Sequence, residues 1–263
     1  MKKILFAVLA FVVAGCASVP VTGRSQLSLV SDGEMNAMAI QSYNSLISSA
    51  KVIKTGKDAE LVKSVGAKIA KAAETFLRDN GLESELASYS WEFNLIESPE
   101  VNAFCMPGGK IAVYTGILPV TKNADGLAVV LGHEVAHAIA KHGAERASQQ
   151  LLTQYGGSLI SLVTAKKSAQ TQQLIMLAYG AGTQVGVLLP YGRKHELEAD
   201  KIGLILMASA GYNPNYAVTF WQQMSAATGG GLSSDIFATH PSDTKRISEI
   251  KAALPEALKY YKK

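Results

Sequence analysis

The chain has little cysteine, few aromatic residues and a small net charge. Two cysteines in 263 residues exclude a disulfide-stabilised scaffold. The net charge of +4 falls to +2 without Lys2 and Lys3, and no basic stripe is interleaved with aromatic residues. Nucleic acid is therefore not expected as a partner. Since 48% of the residues are hydrophobic, global disorder is excluded, and the length suits one large domain with one core.

The N-terminus has the pattern of a bacterial lipoprotein signal peptide. Two lysines precede an apolar run over residues 4–13, which is shorter than the roughly 20 residues that span a membrane. The Val-Ala-Gly-Cys sequence ending at Cys16 resembles a lipobox, in which the cysteine is lipidated and becomes the new N-terminus. An ordinary secretory signal with an incidental cysteine is the alternative. In similar lipoproteins an Asp after the cysteine favours the inner membrane, so Ala17 favours the periplasmic face of the outer membrane.

Composition divides the sequence into three segments. Residues 1–15 are expected to be the signal peptide. Residues 16–30 are expected to be the lipidated N-terminus and a flexible tether, because they contain Pro, Gly, Ser and Thr without a hydrophobic period. Residues 31–263 show no internal repeat and no second boundary, which predicts a single domain. Acyl chains on Cys16 would anchor this domain to a membrane without spanning it.

Hydrophobic periods predict a chain that is helical apart from a few strands. From Leu61 to Phe76, apolar residues recur every three or four positions along one helical face. Alternation predicts strands over 89–97, 101–106 and 110–115, and residues 107–109 (Pro-Gly-Gly) are a turn signal between the last two. Most of the remaining sequence indicates helix. These patterns predict an α+β fold that is mostly helical with a small β-sheet.

Residues 174–191 are largely apolar and need a separate interpretation. A transmembrane helix is one alternative. However, Thr183 and Gln184 lie in the middle of the run, and three glycines fall inside it. A buried helix or a lipid-facing surface helix is therefore favoured over a membrane span.

A histidine motif carries the clearest chemical signal. The sequence from 133 to 142 contains His133, Glu134 and His137 in the spacing H-E-x-x-H. The two histidines share one helical face and can bind one Zn²⁺ at about 2.0–2.1 Å, while Glu134 can reach a water at that ion and act as general base. His142 lies about 180° round the helix and cannot join them. The motif predicts one zinc ion per chain.

The third zinc ligand is expected in the helical segment 193–200. Glu196 and Asp200 are four residues apart and share a face. This spacing favours Glu196 as the ligand and Asp200 as the acceptor for a ring N–H of a zinc-binding histidine. His195 is the alternative ligand. Glu198 is about 200° from Glu196 and is expected to be a solvated charge.

These motifs together resemble metallopeptidase family forty-eight, the gluzincins of the HtpX, Ste twenty-four, Oma and BepA group. The resemblance is carried by residues 132–137 (GHEVAH), 195–200 (HELEAD) and 239–241 (THP), the last followed by Arg246. Residues 102–111 also resemble an edge strand and turn of that group, especially in its Oma-like members. The resemblance implies a zincin-type metallopeptidase fold over residues 31–263, with the edge strand of its sheet bordering the active-site cleft.

The resemblance also implies roles for individual residues. Glu196 corresponds to the third zinc ligand. His240 and Arg246 keep the spacing of a pair in which the histidine steadies the oxyanion, and we expect this catalytic role for His240. In BepA-like members the same histidine can instead bind zinc and close the site. Asn102 and Ala103 correspond to the edge strand that holds an extended peptide substrate by strand addition.

The sequence thus predicts a zinc-dependent metalloendopeptidase that is lipid-anchored in the cell envelope. Its expected substrates are unfolded or extended polypeptides, as in envelope quality control, and envelope assembly machinery is a further expected partner. The alternative is a lipid-anchored chaperone or assembly factor with a closed or latent zinc site. The intact Glu134 argues against a vestigial site, because a site without catalysis has no use for a general base.

Overall fold

The computed structural model describes residues 16–19, 22–228, 240 and 244–262, and in this part of the chain it is mostly helical. The predicted α+β class, with a small β-sheet, is confirmed. In chain order the elements are β1 (Cys16–Ser18), β2 (Ser25–Leu27), α1 (Asp32–Ser49), β3 (Val52–Ile53), α2 (Lys57–Asp79), β4 (Glu92–Ile96), β5 (Ala103–Met106), β6 (Lys110–Tyr114), α3 (Leu118–Thr121), α4 (Ala124–Ile139), α5 (His142–Thr164), α6 (Ala169–Thr183), α7 (Leu189–Ser209), α8 (Tyr216–Thr228) and α9 (Thr244–Leu258).

The larger sheet has the strand order β3-β4-β6-β5. Strands β4 and β6 are parallel, and β5 pairs antiparallel with β6, with Ala103 opposite Val113. The predicted turn before β6 is present, with Gly108 and Gly109 at φ 78° and 81°. Glycine is required at the second position, because a Cβ on Gly109 would lie 2.6 Å from the Trp91 ring. Because the strand order ends with β5, this strand lies at one edge of the sheet among the described strands.

Helix α4 forms the centre of the core and crosses α7 at very short range. A Cβ on Gly132 in α4 would lie 2.8 Å from the carbonyl oxygen of Gly203 in α7. Only two glycines permit this contact between backbones. Glu196 lies two helical turns before Gly203, so the crossing brings this carboxylate alongside the histidines of α4.

The described part of residues 16–30 is packed against the core, which differs from the flexible tether expected from composition. Strands β1 and β2 pair antiparallel, and Val19 is 1% exposed. Arg24 donates from Nη2 to Glu145 Oε2 at 2.7 Å and from Nε to Glu198 Oε2 at 3.0 Å. These contacts join residues more than 100 positions apart. A prediction from the composition of residues 16–30 alone cannot detect them.

The expectation of a solvated Glu198 was wrong, because its side chain is buried beside Arg24. Burial raises the pKa of Glu198, but hydrogen bonds from His142, Thr22 and Arg24 outweigh it and lower the pKa from 4.5 to about 2. Glu145 behaves alike: burial raises its pKa, hydrogen bonds from His195 and Arg24 outweigh burial, and the pKa is about 2. Both carboxylates therefore stabilise the fold above pH 4.5, and this contribution is lost as the pH falls toward 2.

The apolar stretch 174–191 belongs to one continuous helix, Ala169–Ser209, that comprises α6, a π-helical turn at Gln184–Leu188 and α7. Among the described residues, this helix is long and apolar enough to cross a membrane, and none of its most apolar window is buried. The expectation of a buried helix was therefore wrong. An exposed surface helix agrees with the structure.

Arg24→Ala is expected to lower the free energy of unfolding at pH 7 by about 3 kcal/mol, because two buried carboxylates lose their shared cation. Urea titration measures the loss, and its size relative to wild type should shrink as the pH falls from 4.5 toward 2. Arg78→Ala is the matched control. Its ion pair with Glu74 is exposed and contributes under about 1 kcal/mol. Equal losses in the two variants would contradict a docked N-terminal segment.

Candidate metal centre

Helix α4 places His133 and His137 on one face, as their spacing predicts. The side chain of Asn123 caps the helix by accepting from the backbone N–H of Gly126 at 2.9 Å. Both histidines are buried, and their Nε2 atoms are 3.0 Å apart. Two imidazoles one turn apart thus aim the same ring atom at one point.

Glu196 and His240 complete a cluster of four donor atoms. Glu196 Oε2 lies 3.2 Å from His133 Nε2, and Oε1 lies 3.3 Å from His137 Nε2. His240 Nδ1 is 2.9 Å from Glu196 Oε2 and 3.1 Å from His133 Nε2. One ligand atom from each of the four buried residues lies within 4.8 Å of every other.

The chemistry and spacing of these donors fit zinc. Imidazole nitrogen and carboxylate oxygen are ordinary zinc ligands, and a tetrahedral shell with bonds of about 2.0–2.1 Å has edges of about 3.3 Å. The neighbouring donor atoms are 2.9–3.3 Å apart. Burial lowers the pKa of His133, but hydrogen bonds and charges from Asp200 and Glu196 raise it overall to about 9. The pocket therefore favours a positive charge.

Asp200 and Arg246 hold His133 from behind. Asp200 Oδ1 accepts from His133 Nδ1 at 2.9 Å, which fixes the ring so that Nε2 faces the cluster. Arg246 donates to both oxygens of Asp200, from Nε at 2.6 Å and from Nη2 at 2.8 Å. It also donates from Nη1 to the backbone oxygen of His240 at 3.2 Å. Arg246 thereby connects Asp200, which orients His133, to the backbone of His240.

Two residues around this site carry no signal in the sequence. The ring of Trp221 packs under Arg246, with the guanidinium carbon 3.6 Å from the ring centroid. His142 supports His137, since their Nδ1 atoms are 2.8 Å apart. No motif marks Trp221, and the helical wheel places His142 away from the metal. Only the tertiary fold shows that each contacts a site residue.

The tautomer of His137 follows from the partners of His142. Burial lowers the pKa of His142 to about 4, so the ring is neutral at pH 7. Its Nε2 donates to the carboxylate of Glu198 at 3.0 Å, because a carboxylate only accepts. The Nδ1 of His142 must then accept from Nδ1–H of His137. This leaves the Nε2 lone pair of His137 free for a metal ion.

The alternative ligand His195 lies outside the cluster of four donors. Its Nε2 is 2.8 Å from Glu145 Oε2, and its ring stacks on His142 with centroids 4.3 Å apart. His195 therefore belongs to the buried charge network around Arg24.

A cleft of about 290 Å³ opens beside the cluster. Asn102 and Ala103 at the start of edge strand β5 line it together with Glu134 and His240. The buried Glu134 Oε1 has no hydrogen-bond partner among the described residues, and His240 Nε2 lies 3.5 Å away. Burial raises the pKa of the Cys105 thiol in the cleft wall, so this group stays protonated. The arrangement offers an acceptor for a proton beside the four donors.

Residues 56–254 match Peptidase family M48. The chain is 43% identical over 175 residues to mitochondrial metalloendopeptidase OMA1 of Schizosaccharomyces pombe, covering 66% of this chain and 50% of the relative. It is 31% identical over 247 residues to mitochondrial metalloendopeptidase OMA1 of Homo sapiens, covering 91% and 46%. It is 25% identical over 238 residues to the beta-barrel assembly-enhancing protease of Escherichia coli (strain K12), covering 89% and 46%.

The chain spans about half the length of the curated relatives it matches. The match to the family extends from the glycine before α2 into α9 and includes every residue of the four-donor cluster. The resemblance seen in the sequence motifs is thereby confirmed, and the chain belongs to Peptidase family M48.

Proposed function

We propose that the chain is a zinc-dependent metalloendopeptidase with His133, His137 and Glu196 as ligands. The observation that carries this proposal is the cluster of four buried donors beside Glu134, whose Oε1 has no hydrogen-bond partner among the described residues. A zinc ion held there would polarise the scissile carbonyl and lower the pKa of an adjacent water. Membership of Peptidase family M48 supports the same reaction.

Other residues would supply proton transfer, orientation of a ligand and binding of the substrate. Glu134 accepts the proton of the attacking water and passes it to the nitrogen of the leaving amine. Asp200, held by Arg246, keeps His133 in the tautomer that presents Nε2 to the metal. Strand β5, near Asn102 and Ala103, binds the substrate by backbone hydrogen bonds at the edge of the sheet. Such pairing favours extended chains over folded ones, so unfolded polypeptides are the proposed substrates.

His240 has two proposed roles, and the geometry favours one of them in this conformation. Its Nδ1 lies where a fourth ligand would lie, 2.9 Å from Glu196 Oε2 and 3.1 Å from His133 Nε2. In that place it closes the position that a water needs. The role as oxyanion donor requires the ring to move out of the cluster. Three consecutive glycines at 229–231 could allow such a movement, because glycine tolerates large backbone changes. They lie outside the described residues.

The closed cluster also supports the second candidate function, a lipid-anchored chaperone or assembly factor with a latent zinc site. The position of His240 Nδ1 among the ligands is the observation that favours it. A casein cleavage assay with and without a chelator separates the two. Chelator-sensitive cleavage supports the peptidase, while suppression of aggregation without cleavage supports the chaperone.

We further propose a place for the protein in the bacterial cell envelope, lipid-anchored through Cys16 at the periplasmic face of the outer membrane. The lipobox resemblance at residues 13–16 supports the anchor. The name of the Escherichia coli relative, a beta-barrel assembly-enhancing protease, supports a role in envelope quality control near assembly machinery. Misassembled envelope proteins expose the extended segments that an edge strand can bind.

Glu134→Gln is expected to retain zinc and lower the cleavage rate about 10²–10⁴-fold, because the ligands remain and the general base is lost. Metal analysis and a casein assay on the full chain measure the two quantities. Glu196→Ala is the matched variant and should lose both zinc and activity, since it removes a ligand. Wild-type cleavage by Glu134→Gln would contradict the proposed mechanism.

His240→Ala is expected to raise the rate of casein cleavage, because it opens the fourth position of the cluster. A steady-state assay with parallel metal analysis tests this. A fall of about 10²–10³ in kcat with unchanged zinc would instead assign the oxyanion role and reject closure. Wild-type rate and zinc affinity together would reject both roles.

Cys16→Ala is expected to abolish incorporation of a labelled fatty acid, because the acylated sulfur is removed. Labelling in cells followed by gel fluorescence measures this. Cys105→Ala is the matched control and should retain the label, since that thiol lies in the cleft wall. Unchanged labelling of Cys16→Ala would reject the proposed anchor.

A further inference from the structure

Residues 152–189 form a helical hairpin that carries many exposed apolar side chains. One arm is the distal part of α5, and the other runs through α6 and the π-helical turn to Leu189, the first residue of α7. The two arms contact each other where Tyr179 and Met176 of α6 pack against Gly156 and Gly157 of α5. Tyr179 also donates to the backbone oxygen of Thr153 at 2.8 Å. The outer surface carries large apolar residues that are 45–79% exposed: Leu152, Tyr155, Leu159, Leu162, Val163, Leu174, Leu177, Val185 and Leu189.

The exposed residues follow the helical period on both arms. On α5 they recur from Leu152 to Leu162 at steps of three and four residues. On the second arm Leu174 and Leu177 begin a similar stripe that continues at Val185 and Leu189. Each arm thus carries a stripe of exposed apolar residues. In a helical hairpin of a soluble protein, most large apolar side chains lie between the helices or against the core. An exposed apolar surface of this extent indicates a contact with a membrane or another protein.

The charge of the hairpin indicates what covers it. Residues 146–195 contain no Asp or Glu, although 21 acidic residues in 263 would place about four in any fifty. The same stretch contains two basic pairs, Lys166-Lys167 at the tip of the hairpin and Arg193-Lys194 at its base. The apolar surface therefore has positive charge at both ends. A second copy would bring like charges together, whereas an anionic lipid surface would attract them.

We propose that residues 152–189 lie in the surface of an anionic phospholipid bilayer. The apolar stripes contact acyl chains, and the lysines at the tip reach the lipid phosphates. The arm from 152 to 164 is about 20 Å long, short of the roughly 30 Å hydrocarbon core. Insertion tip first would place Lys166 and Lys167 inside that core, which is costly. The hairpin therefore lies along the interface. This contact is independent of the metal centre and of Cys16.

The test uses the full chain, reconstituted from detergent into vesicles, with an environment-sensitive fluorophore on one introduced cysteine. Leu162→Cys and Leu177→Cys report on the two arms, and Met38→Cys in α1, which is 51% exposed, is the matched control. The signal of the unsubstituted chain gives the background from its own cysteines, Cys16 and Cys105. The vesicles contain phosphatidylglycerol and phosphatidylcholine with a nitroxide on the acyl chains, which quenches only fluorophores at acyl-chain depth.

We expect quenching by more than half at positions 162 and 177 and almost none at 38. Charge reversal by Lys166→Glu with Lys167→Glu should reduce this quenching in anionic vesicles. In pure phosphatidylcholine, quenching should be weaker and unaffected by charge reversal. Equal quenching at all three positions, or none, would overturn the proposal. Fluorescence that changes with protein concentration without lipid would show that a second copy covers the hairpin and would also overturn it. The readout needs neither zinc nor cleavage, so failure of the peptidase proposal would not affect it.

Discussion

The backbones of α4 and α7 touch where Gly132 faces Gly203, and the metal centre depends on this contact. A Cβ at either position would lie within 3 Å of the opposite backbone, so any other residue would push the helices apart. His133 directly follows one glycine, and Glu196 lies two turns before the other. The 3.2 Å distance between His133 Nε2 and Glu196 Oε2 therefore depends on two glycines that do not belong to the four-donor cluster.

The two histidines of the H-E-x-x-H motif are oriented by different means. His133 donates to the carboxylate of Asp200, whereas His137 donates to another histidine. The ring of His142 is neutral, and its Nε2–H donates to Glu198. Its Nδ1 is therefore free to accept from Nδ1–H of His137. Glu198 in turn is paired with Arg24 near the N-terminus. The orientation of His137 thus depends on a chain of contacts that ends at Arg24, eight residues after Cys16.

The sequence predicted those parts of the structure that depend on local spacing. The H-E-x-x-H turn, the shared face of Glu196 and Asp200 and the strands around the Pro-Gly-Gly turn all follow from helical or strand periods. Burial of Glu198, docking of Arg24 and the stacking of Trp221 on Arg246 do not. Each depends on partners from distant segments, such as Arg24 with Glu145, 121 positions away. The composition of residues 16–30 predicted a tether because the carboxylates that hold Arg24, those of Glu145 and Glu198, lie far away in the sequence.

The docked strands β1 and β2 limit the distance between the rest of the domain and the proposed anchor at Cys16. Arg24, held by two buried carboxylates, is eight residues from that cysteine. A fully extended chain of this length spans at most about 28 Å, and the β1–β2 hairpin folds back and shortens it further. If Cys16 carries lipid as proposed, the domain that contains the cleft would be held close to the lipid surface. Under that proposal, a polypeptide would reach the cleft only where it lies near the membrane, whatever its sequence.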